Sequence, residues 1–527
     1  GGMEYPNVTV IGNSSTATEL EIVIVHEVGH NWFYGILGSN ERVHGWMDEG
    51  LNTLNEMRYI ETKYPGNTQM SDMILNGRFH MNDLDHHDMG DISYRMTAIM
   101  GADQPIETHS ADFTSSNYGT IMYQKTGLVF HYLKSVLGEE KFDKGMRAYF
   151  EKWKFKHPQP EDLRAVIENE TVKNVDWFFE DLIQTTNHID YKVTRVKPIL
   201  KTGTEITIKN KGQVAGPVRL TVYAGKEKEE ISTDPVKGKL IVTSKLSGVT
   251  KVIIDEKRQI PEMDRSNNTW NKSWLFNKFE PIKYEFLIGD HEREKHNNFW
   301  LPVLGVNARD GFMLGVATHN LGIPFKSFQY VLAPVFGFES KELAGIGEVS
   351  YTFLPKKNIK LLRLGVSAKS FTYNVLSPYL FFKFGQRKAH KDYGSTLLIQ
   401  HVHSDSKSSL SDLKRGGFMK YNFSLEKSVL EWDLEFRTDY MLKGKPTNST
   451  TIGTAVNYFA TEQMGRSSMS STLRFRYMKN KKDRWIELRT YGGLMWMFDF
   501  NNQALNGEYK LALGGANGRQ DLFFEDY

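Results

Sequence analysis

Apolar and polar positions divide the 527-residue chain into three successive textures. Over residues 1–190, apolar side chains recur every three to four positions, which is the spacing of amphipathic helices packed on a core. Residues 19–37, 48–64 and 118–137 carry this spacing most clearly. Over residues 191–261 the period shortens to two, in short segments separated by glycines. The pattern predicts a mainly α-helical domain followed by a small antiparallel β-sandwich.

Longer alternating segments begin at about residue 297. Leu430, Trp432 and Leu434, for example, alternate with Glu431 and Asp433, and about a dozen such segments follow one another. Strands of ten or more residues with aromatic side chains near their ends are typical of outer-membrane barrels, which are apolar outside and polar inside. A soluble sandwich also alternates and stays open as the alternative. We therefore predict an antiparallel β-barrel over residues 297–527, joined to the sandwich by a polar linker over residues 262–296.

Charge and composition exclude several classes of function. The chain has 66 Lys and Arg against 63 Asp and Glu, so no overall field attracts nucleic acid. Cysteine is absent, which removes thiolate metal sites, cysteine nucleophiles and disulfides. The sequence contains no run of 18 apolar residues, so it predicts no transmembrane helix. The chain opens on Gly1 without a signal peptide and ends at Tyr527 within a strand-like segment, so we expect a fragment truncated at both ends.

The segment His26-Glu27-Val28-Gly29-His30 carries the most specific chemistry. Four positions apart on a helix, His26 and His30 project from one face and can share a metal ion. Eighteen residues separate His30 from Glu49, which begins a second helical pattern and supplies a third ligand. Two histidines, one carboxylate and an open position make a catalytic zinc site, so we predict one zinc ion per chain. Glu27 is then the general base for a zinc-activated water.

Two further residues are candidates on chemistry alone. Glu56 lies seven residues after Glu49 on the same helix face, so it either orients a ligand or is a solvated acid. Tyr123 either stabilises an oxyanion or is a packing residue. The segment Asp83-Leu84-Asp85-His86-His87-Asp88 is interpreted as a solvated loop rather than as a second metal site.

These motifs resemble those of the M1 family of zinc aminopeptidases, within the gluzincins. The HExxH-x18-E spacing is that family's own, Gly1-Gly2-Met3-Glu4-Tyr5 is similar to its GxMEN motif, and the segment that begins at Tyr123 is similar to its Tyr-Glu-Lys-Gly segment. The resemblance implies that Tyr123 stabilises the oxyanion and that Glu4 binds the α-ammonium group of the substrate. It also implies that Gly2 and Met3 offer backbone contacts to the peptide. Tyr5 replaces the last Asn of the motif, which keeps a zinc endopeptidase open as an alternative.

The region after residue 297 resembles outer-membrane barrel domains that follow M1 modules in some Gram-negative envelope proteins. The whole sequence therefore predicts a zinc-dependent metalloaminopeptidase for peptide substrates, bound to outer-membrane lipid through a C-terminal barrel. The peptidase domain is expected in the periplasm. The alternative from another class is an outer-membrane barrel for transport or assembly with a peptidase-like zinc-binding module.

Overall fold

The computed structural model describes thirteen segments of the chain, which form two compact units. The described residues are 1–65, 86–171, 173–199, 203–272, 282–287, 296–323, 325–355, 358–385, 393–406, 412–425, 430–444, 460–477 and 484–498. The first unit comprises Gly1–Asn297 with residues 322–326 and 387–390. The second comprises Asn298–Leu321, Ser327–Gln386 and Lys391–Tyr527. Residues 499–527 of the predicted barrel domain lie outside the described residues.

Helices make up most of the first unit up to residue 183, as the apolar spacing predicts. They are α1 (Ala17–Gly29), α2 (Glu49–Lys63), α3 (His86–Ile99), α4 (Thr126–Leu137), α5 (Glu139–Trp153) and α6 (Pro160–Thr171). Shorter helical pieces are the 3-10 helices Gly45–Met47 and Ser110–Asp112, the turn Ser115–Asn117, and the π-helices Tyr118–Lys125 and Trp177–Ile183. Gly138, with a φ of 86°, ends α4 at a backbone conformation that glycine adopts without strain.

The first helix is shorter than its apolar pattern. Thr16 caps its start, because its side-chain oxygen accepts the backbone N–H of Glu19 at 3.1 Å. The pattern predicts a helix up to residue 37, but α1 ends at Gly29. Tyr34 takes a φ of 96° and its N–H bonds to the carbonyl of Leu37, so the chain turns back there. Trp32 is consequently half exposed instead of packed along a helix.

The core of this unit lies between α2, α4 and the π-helix Tyr118–Lys125. Leu51, Leu54, Met57 and Ile60 are buried on α2, in agreement with the predicted packing surface. The sequence predicts one continuous helix over residues 118–137, and the structure divides it at Thr126 into a π-helical and an α-helical part. A π-turn contains about one residue more than an α-turn, and here this wider geometry is confined to Tyr118–Lys125.

The predicted β-sandwich consists of two antiparallel sheets. The strands are β3 (Tyr191–Ile199), β4 (Gly203–Asn210), β5 (Arg219–Ala224), β6 (Glu227–Ser232), β7 (Lys239–Ser244), β8 (Lys251–Ile254) and β9 (Thr269–Asn271). One sheet has the order β3-β4-β7 and the other β6-β5-β8-β9. A short hairpin of β1 (Gly2–Met3) and β2 (Val10–Ile11) precedes the helices.

The region predicted as a linker, residues 262–296, is structured over much of its described length. Thr269–Asn271 pairs with β8, and a further strand, β10, covers Ile282–Phe286. Arg265 explains part of this difference, because its guanidinium contacts Asp91 on α3 at 3.2 Å and the carbonyl of Ile260 at 2.8 Å. The polar residues that predicted a linker therefore include one, Arg265, that forms polar contacts between the end of the sandwich and α3.

The second unit contains eleven described strands in one antiparallel sheet, each paired with the next along the chain. They are β11 (His296–Asn307), β12 (Gly311–His319), β13 (Phe328–Gly337), β14 (Leu343–Phe353), β15 (Ile359–Ser370), β16 (Tyr373–Gly385), β17 (Tyr393–Ser406), β18 (Asp412–Leu425), β19 (Leu430–Gly444), β20 (Ala460–Arg476) and β21 (Trp485–Phe498). Among the described residues, no pairing between the first and last strands closes this sheet, so the predicted barrel is not confirmed.

Every helix in the part of the chain that the structure describes is too short or too polar to span a lipid bilayer.

Two helical glycines should respond oppositely to alanine. A Cβ at Gly50 would lie 2.1 Å from Thr126 Cγ2, whereas the nearest atom to a Cβ at Gly145 is 3.9 Å away. We expect Gly50→Ala to destabilise the fold by about 1–3 kcal/mol through overpacking. Gly145→Ala should stabilise it by up to ~1 kcal/mol through helix propensity. Urea unfolding followed by tryptophan fluorescence measures both, and shifts in the same direction would contradict the packing of α2 on α4.

Candidate metal centre

Two helices bring the three predicted ligands together. His26 lies in the last turn of α1, His30 directly follows that helix, and Glu49 is the first residue of α2. The two imidazole rings meet edge to face with centroids 4.8 Å apart. Their Nε2 atoms lie 3.1 Å (His26) and 3.3 Å (His30) from the same carboxylate oxygen, Glu49 Oε2. Three donor atoms from two helices therefore converge on one point.

The spacing of these donor atoms fits zinc. Zinc binds histidine nitrogen and carboxylate oxygen at about 2.0–2.2 Å in a tetrahedron, which places neighbouring donor atoms about 3.3–3.6 Å apart. The observed Nε2 to Oε2 distances of 3.1 and 3.3 Å are close to that range. His26 and His30 are buried, so the geometry does not depend on mobile surface side chains.

Carboxylates hold the far nitrogens of both imidazoles. His26 Nδ1 lies 2.9 Å from Glu56 Oε2, and His30 Nδ1 lies 2.7 Å from Asp48 Oδ1. The carbonyl of Phe33 adds a contact to His30 Nδ1 at 3.2 Å. When Nδ1 carries the hydrogen, Nε2 is left to bind a metal, and the ring orientation is fixed. Glu56 thus takes the orienting position that the sequence proposed for it, and Asp48 takes an equivalent position that the sequence analysis missed.

These carboxylates favour positive charge at the ligand cluster. Burial lowers the pKa of His26, but the hydrogen bonds with Glu49 and Glu56 outweigh it and raise the pKa to about 9. The pKa of His30 rises to about 11, because Asp48 and Glu49 outweigh the same burial effect. A divalent cation bound to two neutral imidazoles supplies the same two positive charges. The electrostatics of the cluster therefore fit a metal ion as well as its distances do.

Asn52 locks α1 against α2 behind the ligands. Its side-chain amide donates to the backbone carbonyl of His26 at 2.6 Å. A Cβ added to Gly29 would lie 1.9 Å from Asn52 Oδ1, so a larger residue there would displace the Asn52 amide from this position. The glycine inside the two-histidine motif is explained by this close contact.

Glu27 is buried beside the ligands. Its Oε2 atom has no hydrogen-bond partner among the described residues, and burial raises the pKa of the carboxyl group. The backbone of Gly2 lies directly against it, since a Cβ at Gly2 would be 2.4 Å from Glu27 Oε1. A larger residue at position 2 would therefore displace the Glu27 side chain from this position.

Tyr123 reaches the cluster from the π-helix. Its hydroxyl donates to Glu49 Oε1 at 2.5 Å, and its ring stacks on His26 with centroids 5.5 Å apart. Burial and the negative charge of Glu49 raise the pKa of Tyr123 well above its ordinary value, so the hydroxyl keeps its proton. The wider π-turn places Tyr118 and Tyr123, five residues apart, in ring contact at 5.9 Å.

One cavity of about 730 Å³ gathers all nine predicted site residues. They are Gly2, Met3, Glu4, His26, Glu27, His30, Glu49, Glu56 and Tyr123. Glu4 follows the strand β1 and offers a carboxylate oxygen within 4.8 Å of donor atoms on His30 and Asp48. The anion predicted to bind the α-ammonium group thus shares a wall with the candidate metal ligands.

The interpretation of residues 83–88 as a solvated loop is wrong for its described part. Residues 83–85 lie outside the described residues, but His86 begins α3 and is buried. His86 Nε2 lies 2.6 Å from Glu56 Oε1, so Glu56 stands between two histidines. The hydrogen bond with His26 and the close contact with His86 outweigh burial and lower the pKa of Glu56 to about 2. The sequence could not predict the contact between His86 and Glu56, because no local spacing relates residues on α3 to residues on α2.

A buried carboxylate also fixes the segment between the second and third ligands. Glu107 accepts hydrogen bonds from His44 Nδ1 and Trp46 Nε1. Trp46 is fully buried and stacks on Phe130 of α4 with centroids 5.8 Å apart. These contacts anchor the chain three residues before Glu49, and so they help to fix the position of Glu49 at the start of α2.

Comparison with known proteins agrees with this arrangement. Residues 5–182 match the model of the peptidase family M1 domain. Peptidases of that family are zinc-dependent. The match therefore supports the interpretation of this site as the zinc centre of a metallopeptidase.

Similar proteins from plants, animals and fungi carry aminopeptidase names. Aminopeptidase M1-D of Oryza sativa subsp. japonica is 27% identical over 31% of this chain and 18% of its own length. Endoplasmic reticulum aminopeptidase 2 of Homo sapiens is 26% identical over 29% and 15%. Leucine aminopeptidase 2 of Aspergillus clavatus is 28% identical over 34% and 29%. The chain thus spans less than a third of the length of each of these relatives.

Among solved structures, aminopeptidase A of Legionella pneumophila aligns at a TM-score of 0.33 and 14% identity, over 46% of this chain and 26% of that one. A similarity at this level adds nothing to the family match.

Removing the Glu56 carboxylate should weaken zinc binding. Glu56→Ala frees the His26 ring and leaves its Nδ1 without a carboxylate, a change that typically costs 10–100-fold in metal affinity. Competition with a chromophoric chelator measures the effect. Glu61→Ala is the matched control, since Glu61 lies on the same helix but its carboxylate contacts His131. Equal affinities for the two variants would remove Glu56 from the metal centre.

Proposed function

We propose that the chain is a zinc-dependent metalloaminopeptidase, which hydrolyses N-terminal residues from peptides. The observation that carries the proposal is the position of Glu27. Its buried Oε2 atom lacks a hydrogen-bond partner among the described residues, and the side chain lies in one cavity with the ligands His26, His30 and Glu49. A carboxylate next to a metal-binding cluster, but outside its ligand set, suits a general base.

Each remaining residue has a chemical task. His26, His30 and Glu49 would hold the zinc ion, which when bound would lower the pKa of a water molecule and polarise a carbonyl group. Glu27 accepts the proton of the attacking water and passes it to the leaving amine, and its raised pKa favours both transfers. Tyr123 stays protonated and donates a hydrogen bond to the negative charge that develops on the carbonyl oxygen.

Glu4 gives the proposal its exopeptidase character. Its carboxylate shares the cavity with the ligands and lies near Asp48, so this wall attracts the α-ammonium group of a peptide. An endopeptidase has no need of an anion at this position. Tyr5, which departs from the family motif, is 57% exposed and leaves the Glu4 side chain on the cavity wall.

A single peptide in two forms tests this activity. The protein should trim the peptide with a free N-terminus and leave the N-acetylated form intact, because acetylation removes the charge that Glu4 binds. Mass spectrometry of the digests, with and without a chelator, measures both. Glu27→Gln should retain zinc, seen by elemental analysis, and lose at least about a thousandfold in turnover as its base is removed.

The same experiment distinguishes the alternatives. Chelator-sensitive cleavage of both forms would identify an endopeptidase. Bound zinc without cleavage of either form would favour an outer-membrane barrel for transport or assembly with a zinc-binding module. Full activity of Glu27→Gln would reject the mechanism.

We further propose that the second unit contacts outer-membrane lipid, as part of a barrel that keeps the peptidase domain in the periplasm. What supports this is an apolar face on the sheet. Val349, Tyr351, Leu364 and Val366 are all at least 36% exposed. Val349 pairs with Val366 and Tyr351 with Leu364 across adjacent strands, so these side chains form one continuous patch. Patches of this kind are expected to face another apolar phase.

The opposite face of the same strands is polar. Ser350 and Thr352 are buried there, and Arg363 donates to Thr352 Oγ1 at 2.9 Å. Tyr379 on the next strand donates to Glu348 at 2.7 Å. An exposed apolar face combined with a hydrogen-bonded polar face is the reverse of a soluble sheet and is typical of a membrane barrel wall.

Lysine substitutions on the two faces should separate these possibilities. Val366→Lys puts a charge on the apolar face and should reduce co-flotation with phospholipid vesicles by about tenfold or more, since a lipid-facing lysine costs about 2–4 kcal/mol at mid-bilayer. Ser367→Lys, one residue further on the other face, is the matched control and should float like the unmodified protein. Equal flotation of both variants would argue against lipid contact by this face.

A further inference from the structure

The wall of the candidate active-site cavity carries a marked charge imbalance. Seven of its lining residues are Asp or Glu, and Arg42 is the one Arg or Lys among them. Several of the acids have partners at the metal centre, as Asp48, Glu49 and Glu56 do. Arg42 differs from them, because in the described part of the chain no carboxylate lies within ion-pair distance of its guanidinium group.

The backbone around Arg42 is held in place although its side chain is exposed. Ser110 N–H donates to the carbonyl of Arg42 at 2.8 Å, and Ser110 Oγ donates to the carbonyl of Glu41 at 2.5 Å. Asn40 Oδ1 accepts the N–H groups of Arg42 and Val43 at 3.2 and 3.3 Å. A guanidinium group on such a fixed loop loses less freedom when it binds an anion than one on a mobile loop.

We propose that Arg42 binds a carboxylate of the peptide substrate and so determines which peptides this site prefers. The inference rests on the aminopeptidase proposed above. Guanidinium groups bind carboxylates through two parallel hydrogen bonds, a geometry that neutral amides do not match. An unpaired guanidinium in a cavity that otherwise repels anions would discriminate strongly between a substrate with a carboxylate and one without.

Arg42 also complements Glu4. Glu4 provides an anion for the N-terminal ammonium group, and Arg42 provides a cation that lines the same cavity. A short peptide with free ends has the complementary charges: an ammonium group at its N-terminus for Glu4 and a carboxylate at its C-terminus for Arg42. The substrate class that fits both residues is therefore a short peptide carrying a carboxylate close to the bond that is cleaved.

Two parts of a peptide can supply that carboxylate: its C-terminus or an acidic side chain. The test uses Ala-Ala-Ala and its C-terminal amide for the first source. It uses Ala-Asp-Ala-amide and Ala-Asn-Ala-amide for the second. Within each pair the peptides differ by one charged group, so the ratio of their kcat/KM values reports the contribution of the carboxylate. Release of the N-terminal alanine is measured for the whole protein with zinc.

The expected result is a preference of about tenfold for the carboxylate in one of the two pairs, which corresponds to one favourable charged contact. Arg42→Gln should bring that ratio close to one, mainly by raising the KM of the peptide that carries the carboxylate. Arg147→Gln is the matched control, because Arg147 is exposed on α5 and lies outside this cavity. It should leave the ratio unchanged.

Each outcome has one meaning. A preference confined to the first pair assigns the C-terminus, and one confined to the second assigns an acidic side chain. Equal rates within both pairs, or a preference that survives in Arg42→Gln, would overturn the role of Arg42. Failure to release alanine from any of the four peptides would instead reject the aminopeptidase itself.

Discussion

The candidate metal centre depends on buried negative charge at the start of α2. Asp48, Glu49 and Glu56 contact the imidazoles of His26 in α1 and of His30 directly after it, so moving α1 away from α2 would leave charged groups without a partner. Burial of ionised groups is expensive unless each has a partner. Here every carboxylate of this set contacts an imidazole nitrogen, so the ligand geometry and the packing of α1 on α2 are maintained by the same contacts.

Small residues permit this close approach. Gly29 leaves room for the Asn52 side chain behind the ligands, and Gly2 leaves room for Glu27 in front of them. Gly50 does the same between α2 and Thr126. Each glycine lies where its backbone comes too near a neighbouring side chain for a Cβ. The backbone at Gly2 and Gly29 thus limits the space open to the Glu27 and Asn52 side chains, which keeps them in defined positions.

Sequence alone predicted the parts of the site that depend on local geometry. His26, Glu27 and His30 follow from helical spacing, and Glu49 follows from its place at the start of the next amphipathic segment. Asp48 and His86 could not be predicted in this way, because their roles arise from contacts between separate helices. The π-helix was missed for the same reason, since Tyr118–Lys125 has an ordinary apolar pattern. Long strands were predicted from their alternation, but alternation does not determine whether a sheet closes.

The segment between His30 and Glu49 is held in place mostly by contacts that do not involve the side chains of residues 41 and 42. Glu107 holds it through the buried Trp46, and Ser110 holds it through the main-chain carbonyls of Glu41 and Arg42. Main-chain contacts are indifferent to side-chain identity, so positions 41 and 42 can change by mutation while Glu49 keeps its place. A substitution at position 41 or 42 would therefore change the charge and shape of the cavity lining and leave the arrangement of the three candidate metal ligands as it is.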